Sequence, residues 1–160
     1  MPGLIDANVN ICSGTDMEGF SSLTKAAAAG GFTTIVDNPM WVFRVAREVF
    51  STQFSLVGRF SIPATTSVRN LKAKVDQARK NCLFVDCAFW AGVTRTNNAD
   101  LLPLANNGVC GFKAIMNPQD SLSDFPHLTK ESLKEALEIL EETDCIFAVR
   151  VEIIGFWLSF

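Results

Sequence analysis

A chain of 160 residues that is 48% hydrophobic and 19% charged has the composition of a globular domain with one packed core, which excludes the disordered and fibrous classes. Its formal net charge of -3 and pI near 5.1, with Lys and Arg dispersed along the chain, argue against a nucleic-acid partner. No segment approaches the roughly 20 apolar residues that a bilayer span requires.

The opening Met1 to Asn10, MPGLIDANVN, lacks the basic stretch and long apolar core of a signal peptide, so the expectation is a cytoplasmic protein without membrane association. Strand-like Gly3 to Ala7 is followed by a helical segment, Met17 to Ala29, which Gly30 and Gly31 would end. Phe32 to Asp37 is a β-branched strand. Val68 to Lys80 is a helix with Leu71, Val75 and Ala78 on one face, and Leu83 to Phe89 is a further strand. Ala99 to Asn106 reads as a short helix closed by Asn107-Gly108, and Val109 to Met116 as a strand. Thr129 to Glu142 is a helix with Thr129 as N-cap, Glu131 near the positive end of the dipole and Leu133, Leu137 and Leu140 as its apolar stripe. Cys145 to Val151 closes the series as a strand.

Strict βα alternation predicts an α/β fold with a parallel sheet and right-handed crossovers, either an open doubly wound sheet or part of a (β/α)8 barrel. A closed barrel takes about 250 residues, so about five parallel strands and four helices correspond to an incomplete TIM-type barrel. One stretch breaks the rhythm. Trp41 to Phe60 is too long for an ordinary connection, and Val42, Val45, Ala46 and Val49 at helical spacing predict an extra amphipathic helix there. It carries too few cations for a membrane-surface helix.

Five cysteines, Cys12, Cys82, Cys87, Cys110 and Cys145, contain no C-x-x-C pair and fall mostly in apolar runs, which predicts buried thiols in a reducing compartment. Cys82 and Cys87, if both in a strand, lie on opposite faces. His127, the sole histidine, precedes a helix start and reads as a solvated loop residue.

The run Pro2-Gly3-Leu4-Ile5-Asp6-Ala7-Asn8-Val9-Asn10 resembles the P-G-x-I-D-x-H-x-H strand that opens the catalytic barrel of cyclic amidohydrolases. Glu18-Gly19-Phe20, Thr24 to Gly31 and Thr33 to Asp37 look like the allantoinases in particular. Ser61 to Thr66, Val85 to Trp90, Gly111-Phe112-Lys113 and Ser123 to Pro126 agree. The resemblance covers residues 1–153 apart from an atypical insertion at 41–60, with 154–160 an unrelated tail. Both departures resemble translated non-coding sequence.

What the resemblance implies is a (β/α)8 barrel holding two zinc ions, bridged by a carbamylated lysine and a hydroxide at the C-terminal ends of the strands. The implied reaction is hydrolytic opening of the hydantoin ring of allantoin, a small-molecule ureide, to allantoate in purine catabolism. Metal-bound water of lowered pKa is the nucleophile such sites use. Lys113 matches the carbamylated lysine. Asn8 and Asn10 stand at the H-x-H positions, where an amide oxygen is a weak ligand for zinc, and Arg150 stands at the histidine of an H-A-E triplet, where a permanent cation repels a metal. The family's sixth-strand histidine and eighth-strand aspartate would fall beyond Phe160. The expectation is therefore a catalytically inactive relative, a pseudoenzyme without bound metal and without catalytic residues. The alternative is a non-catalytic binding or scaffold protein associating with an intact homologue.

Overall fold

Short β-branched runs punctuated by glycines become strands, and capped amphipathic runs become helices, in the computed structural model of the chain. The structure describes residues 2–11, 19–39, 42–46, 55–59, 63–116 and 127–151. In chain order the elements are β1 (Leu4–Val9), α1 (Phe20–Ala29), β2 (Phe32–Asp37), β3 (Val42–Ala46), β4 (Ser55–Arg59), α2 (Val68–Lys80), β5 (Asp86–Gly92), α3 (Asn98–Asn106), β6 (Gly111–Ile115), α4 (Lys130–Leu140) and β7 (Ile146–Arg150).

Local chemistry sets most boundaries. Gly31, at φ +83°, supplies the left-handed residue that ends α1 and turns the chain into β2. The Ser67 hydroxyl accepts from the Asn70 N–H to start α2, while Thr129 and Ser132 form a reciprocal capping box at the start of α4.

The five strands β1-β2-β5-β6-β7 form one parallel sheet in simple sequence order. A doubly wound sheet reverses its strand order at a switch point. This sheet runs in one direction throughout, as a singly wound barrel wall does. Alternation separates its two faces. Ile35, Phe89, Ala91, Phe112 and Ala114 point to the helix layer and meet Phe20, Leu71, Leu101, Leu104 and Ala136 in a buried core. Each Ile, Leu or Phe among them contributes about 1.5–3 kcal/mol on burial. The opposite face carries Asn8, Trp90 and Lys113.

The five parallel strands and four helices expected from the sequence are present, with several local corrections. Residues 42–46 and 55–59 form an antiparallel pair, Val42 opposite Arg59 through Ala46 opposite Ser55, so the helix predicted there is wrong. Val42, Phe43 and Val45 are β-branched or aromatic, and strand pairing overrides an apparent helical spacing read over so few residues. Val49 lies outside the described residues. The strand expected at Leu83 to Phe89 lies at Asp86–Gly92 instead, which leaves Leu83 and Phe84 exposed. Cys82 consequently sits exposed in the preceding loop rather than in a strand, and Cys87, Cys110 and Cys145 are half-buried, so the fully buried thiols expected are not found among the described residues. In α4 the buried stripe is Ala136 and Leu140 with Leu133 half-buried, while Leu137 is exposed. Cys12 and Met17 lie outside the described residues.

Candidate active site

The C-terminal ends of the strands are stitched together by backbone hydrogen bonds. Asn38 N–H donates to the Val9 carbonyl at 2.7 Å, Thr65 N–H to Pro39 at 3.1 Å, Gly92 N–H to Thr65 at 2.8 Å and Val93 N–H to Lys113 at 2.9 Å. β1, β2, β5 and β6 are thus held in a common rim, around which the candidate site residues gather.

Lys113 is the third of five residues in β6 and projects to the face opposite Phe112 and Ala114. Its Nζ donates to Asn8 Oδ1 at 2.8 Å, a solvent-facing contact that spans the sheet from β6 to β1. The same ammonium lies 4.6 Å from the centroid of the Trp90 ring, a cation–π arrangement. Burial pulls the Lys113 pKa below its ordinary value, and Cys110 and then Asp37 partly oppose that shift.

Trp90 is the organising side chain. It is buried, and its indole N–H donates to the Ala7 carbonyl at 2.8 Å, fixing the β1 backbone one residue before Asn8. Room for the ring comes from Gly111. A Cβ there would lie 2.5 Å from Trp90 Cζ3 and 2.6 Å from the Ile146 carbonyl oxygen. Asn10 lies just past β1, and its Oδ1 accepts from Asn38 Nδ2 at 3.3 Å. Arg150 ends β7, paired with Ile115 and exposed, with its carbonyl accepting from Met116 N–H at 3.0 Å.

Behind the rim, on the helix-facing side, Asp37 is 1% exposed and Lys74 of α2 is 2% exposed, and they form an ion pair at 2.7 Å. The other Asp37 oxygen accepts from Ile11 N–H at 2.9 Å, holding the chain as it leaves β1. Asn97 is a second buried clamp. Its Nδ2 donates to Thr66 and Gly92 carbonyls at 2.9 and 2.8 Å, and its Oδ1 accepts from Thr94 N–H at 2.8 Å. Sequence reasoning gave none of these residues a role. Asp37 and Trp90 stand inside motifs that carried the family resemblance, and that placement was the available signal. His127 is half-buried rather than simply solvated. Its carbonyl accepts from Arg95 Nε at 2.8 Å and its ring Nε2 lies 2.9 Å from Arg95 Nη2.

The donor chemistry does not fit a pair of divalent ions. Asn8 and Asn10 offer neutral amide oxygens where the implied ligands are imidazoles, and Asn8 Oδ1 already accepts from Lys113 Nζ. A carbamate needs neighbouring positive metals, whereas the groups at the implied ligand positions are two amides and a guanidinium. Among the described residues no three His, Cys, Asp or Glu side chains gather as a ligand set.

No protein-family model matches the chain. It is 35% identical to the protein named mitochondrial allantoinase of Aquarana catesbeiana over 155 residues, 96% of this chain and 28% of the relative. It is 34% identical to the allantoinase of Saccharomyces cerevisiae, covering 96% of this chain and 29% of the relative. It is 37% identical to that of Arabidopsis thaliana, covering 96% and 27%. Among solved structures, the L-hydantoinase (dihydropyrimidinase) from Arthrobacter aurescens superposes with a TM-score of 0.73 at 24% identity, over 95% of this chain and 30% of that one. A D-hydantoinase superposes with a TM-score of 0.63 at 22% identity. These neighbours show the fold: the five strands and four helices form part of a TIM-type barrel. The chain is an allantoinase homologue of the cyclic amidohydrolase family, and it spans less than a third of the length of the relatives it matches.

Proposed function

We propose that this chain carries the allantoinase-type site in a form that does not hydrolyse allantoin. The observation that carries the reading is the 2.8 Å hydrogen bond from Lys113 Nζ to Asn8 Oδ1. It joins two positions that in the family would both face metal, and Asn8 offers an amide oxygen there in place of the implied imidazole. Asn10 and Arg150 extend the same substitution to the other implied ligand positions. The ligand class remains that of a small ureide, and a cytoplasmic location accompanies the reading.

The test is allantoate release by the purified chain with allantoin and added zinc, alongside zinc titration against a chromophoric chelator. The expected results are no release above the uncatalysed background and no stoichiometric uptake of zinc. Zinc-dependent opening of allantoin overturns the proposal.

A second reading, that the chain associates with an intact homologue, has an observation of its own. Among the described residues both edge strands present apolar side chains, Leu4 and Ile5 on β1 at 58% and 65% exposure and Ile146 on β7 at 64%. Clustered exposed apolar side chains mark surfaces that a partner can cover. Co-elution of the chain with a full-length allantoinase in size-exclusion chromatography supports this reading, and independent elution removes it.

A further inference from the structure

Cys110 stands one residue before β6 and Cys145 one residue before β7. The parallel ladder between these strands pairs Gly111 with Ile146 and continues to Ile115 with Arg150. One step back along that register brings Cys110 opposite Cys145. Just ahead of β6 the chain is held against β5, where Cys110 N–H donates to the Phe89 carbonyl at 3.0 Å.

Neighbouring strands lie about 4.8 Å apart. That spacing falls inside the Cα separation of roughly 4.4–6.8 Å that a disulfide accepts. Side chains alternate along a strand, so Cys110 shares the face of Phe112 and Ala114, and Cys145 shares that of Phe147, which pairs with Phe112. The two thiols therefore project to the same side. Both are unbonded cysteines and half-buried, and Cys145 packs against the core. Their proximity has an electrostatic trace. Burial first, and then the neighbouring Cys145, push the Cys110 thiol upward, while a backbone hydrogen bond and Lys113 pull it down.

From this register we propose that Cys110 and Cys145 are a redox-sensitive pair that closes to a disulfide joining β7 to β6, with a low-molecular-weight disulfide such as glutathione disulfide as oxidant. The thiolate of one cysteine attacks a glutathione sulfur, forming a mixed disulfide and releasing one glutathione thiolate. The second cysteine, as its thiolate, attacks the protein-side sulfur and releases the second. Two protein thiols are oxidised, one glutathione disulfide is reduced to two thiols, and the two protons lost by the protein pass to the departing thiolates. The cross-link closes a loop of about 35 residues that includes α4. Among the described residues β7 is an edge strand of the sheet, paired with β6 alone, so the bond ties an edge strand to its one neighbour.

The experiment treats the full chain with glutathione disulfide at pH 7.5 and pH 9, blocks remaining thiols with iodoacetamide, and maps the protein by mass spectrometry without reduction. The expected result is a peptide linking Cys110 to Cys145, formed faster at the higher pH, with a raised thermal midpoint that dithiothreitol reverses. Cys110→Ser and Cys145→Ser each lose the linked peptide, and Cys82→Ser keeps it. Should a serine variant fail to fold, the wild-type map decides the matter. A map in which both cysteines stay alkylatable while exposed Cys82 reacts overturns the proposal. So does a stable glutathione adduct at either cysteine without a linked peptide, or a link from Cys110 to a different cysteine.

Discussion

Lys74→Met keeps most of the lysine stem and deletes the ammonium that lies 2.7 Å from Asp37 Oδ2. The carboxylate left behind is 1% exposed, too deep for water to replace the lost partner, although Ile11 N–H still donates to its other oxygen. Removing one member of a buried pair costs about 3–5 kcal/mol, because the remaining charge stays desolvated. With a urea slope of about 2 kcal/mol per molar, the unfolding midpoint should fall by about 1.5–2.5 M. Asp37→Asn should destabilise for the mirror-image reason, leaving the ammonium buried. The double variant Asp37→Asn/Lys74→Met removes both charges and still offers an amide oxygen to Ile11 N–H, so it should recover more than half of the loss. Urea unfolding followed by circular dichroism on the four proteins gives the coupling directly. A single-variant cost below about 1 kcal/mol, or a double variant no better than Lys74→Met, would refute the idea that the two buried charges depend on each other.

Thr129→Ala removes the acceptor of the Ser132 N–H in the capping box of α4 and should cost about 1 kcal/mol, read as a lower thermal midpoint, whereas Thr129→Asp should restore most of it. The Cys87 thiol is pushed up to about 11 by burial first, and then by the charges of Asp37 and Asp86. Between its ordinary value near 9 and 11 the folded chain retains a proton that the unfolded chain has lost, so stability falls as pH rises through this window. Denaturation midpoints measured from pH 8 to 11 should show that decline, and Cys87→Ala should flatten it.

Much of this architecture is local and was therefore legible. Gly31 and Gly108 mark turns because their positive φ is cheap only for glycine, and Thr129 announces a helix start through a hydrogen bond made within three residues. Strand β2 and helix α2 fall at the positions their apolar periods predict. The misreadings fall where a tertiary partner decides. Val42 to Ala46 pairs with Ser55 to Arg59, and pairing over that separation leaves no mark on an eight-residue pattern. Likewise β5 lies three residues later than expected, because register with β2 and β6 fixes it there.

The candidate site divides along the same line. Asn8, Asn10 and Arg150 were readable as family positions bearing other donors, and Lys113 as a matching one, since that reading needs only the identity of each side chain. That Lys113 donates to Asn8 over a Trp90 ring, in space left by Gly111, was decided by the curvature and register of a sheet joining residues 105 positions apart in sequence. The choice between a doubly wound sheet and a barrel wall was equally beyond the sequence pattern, because both alternate βα units. It rests on strand order. Order is a property of which edges meet in space, and the sequence specifies only the edges.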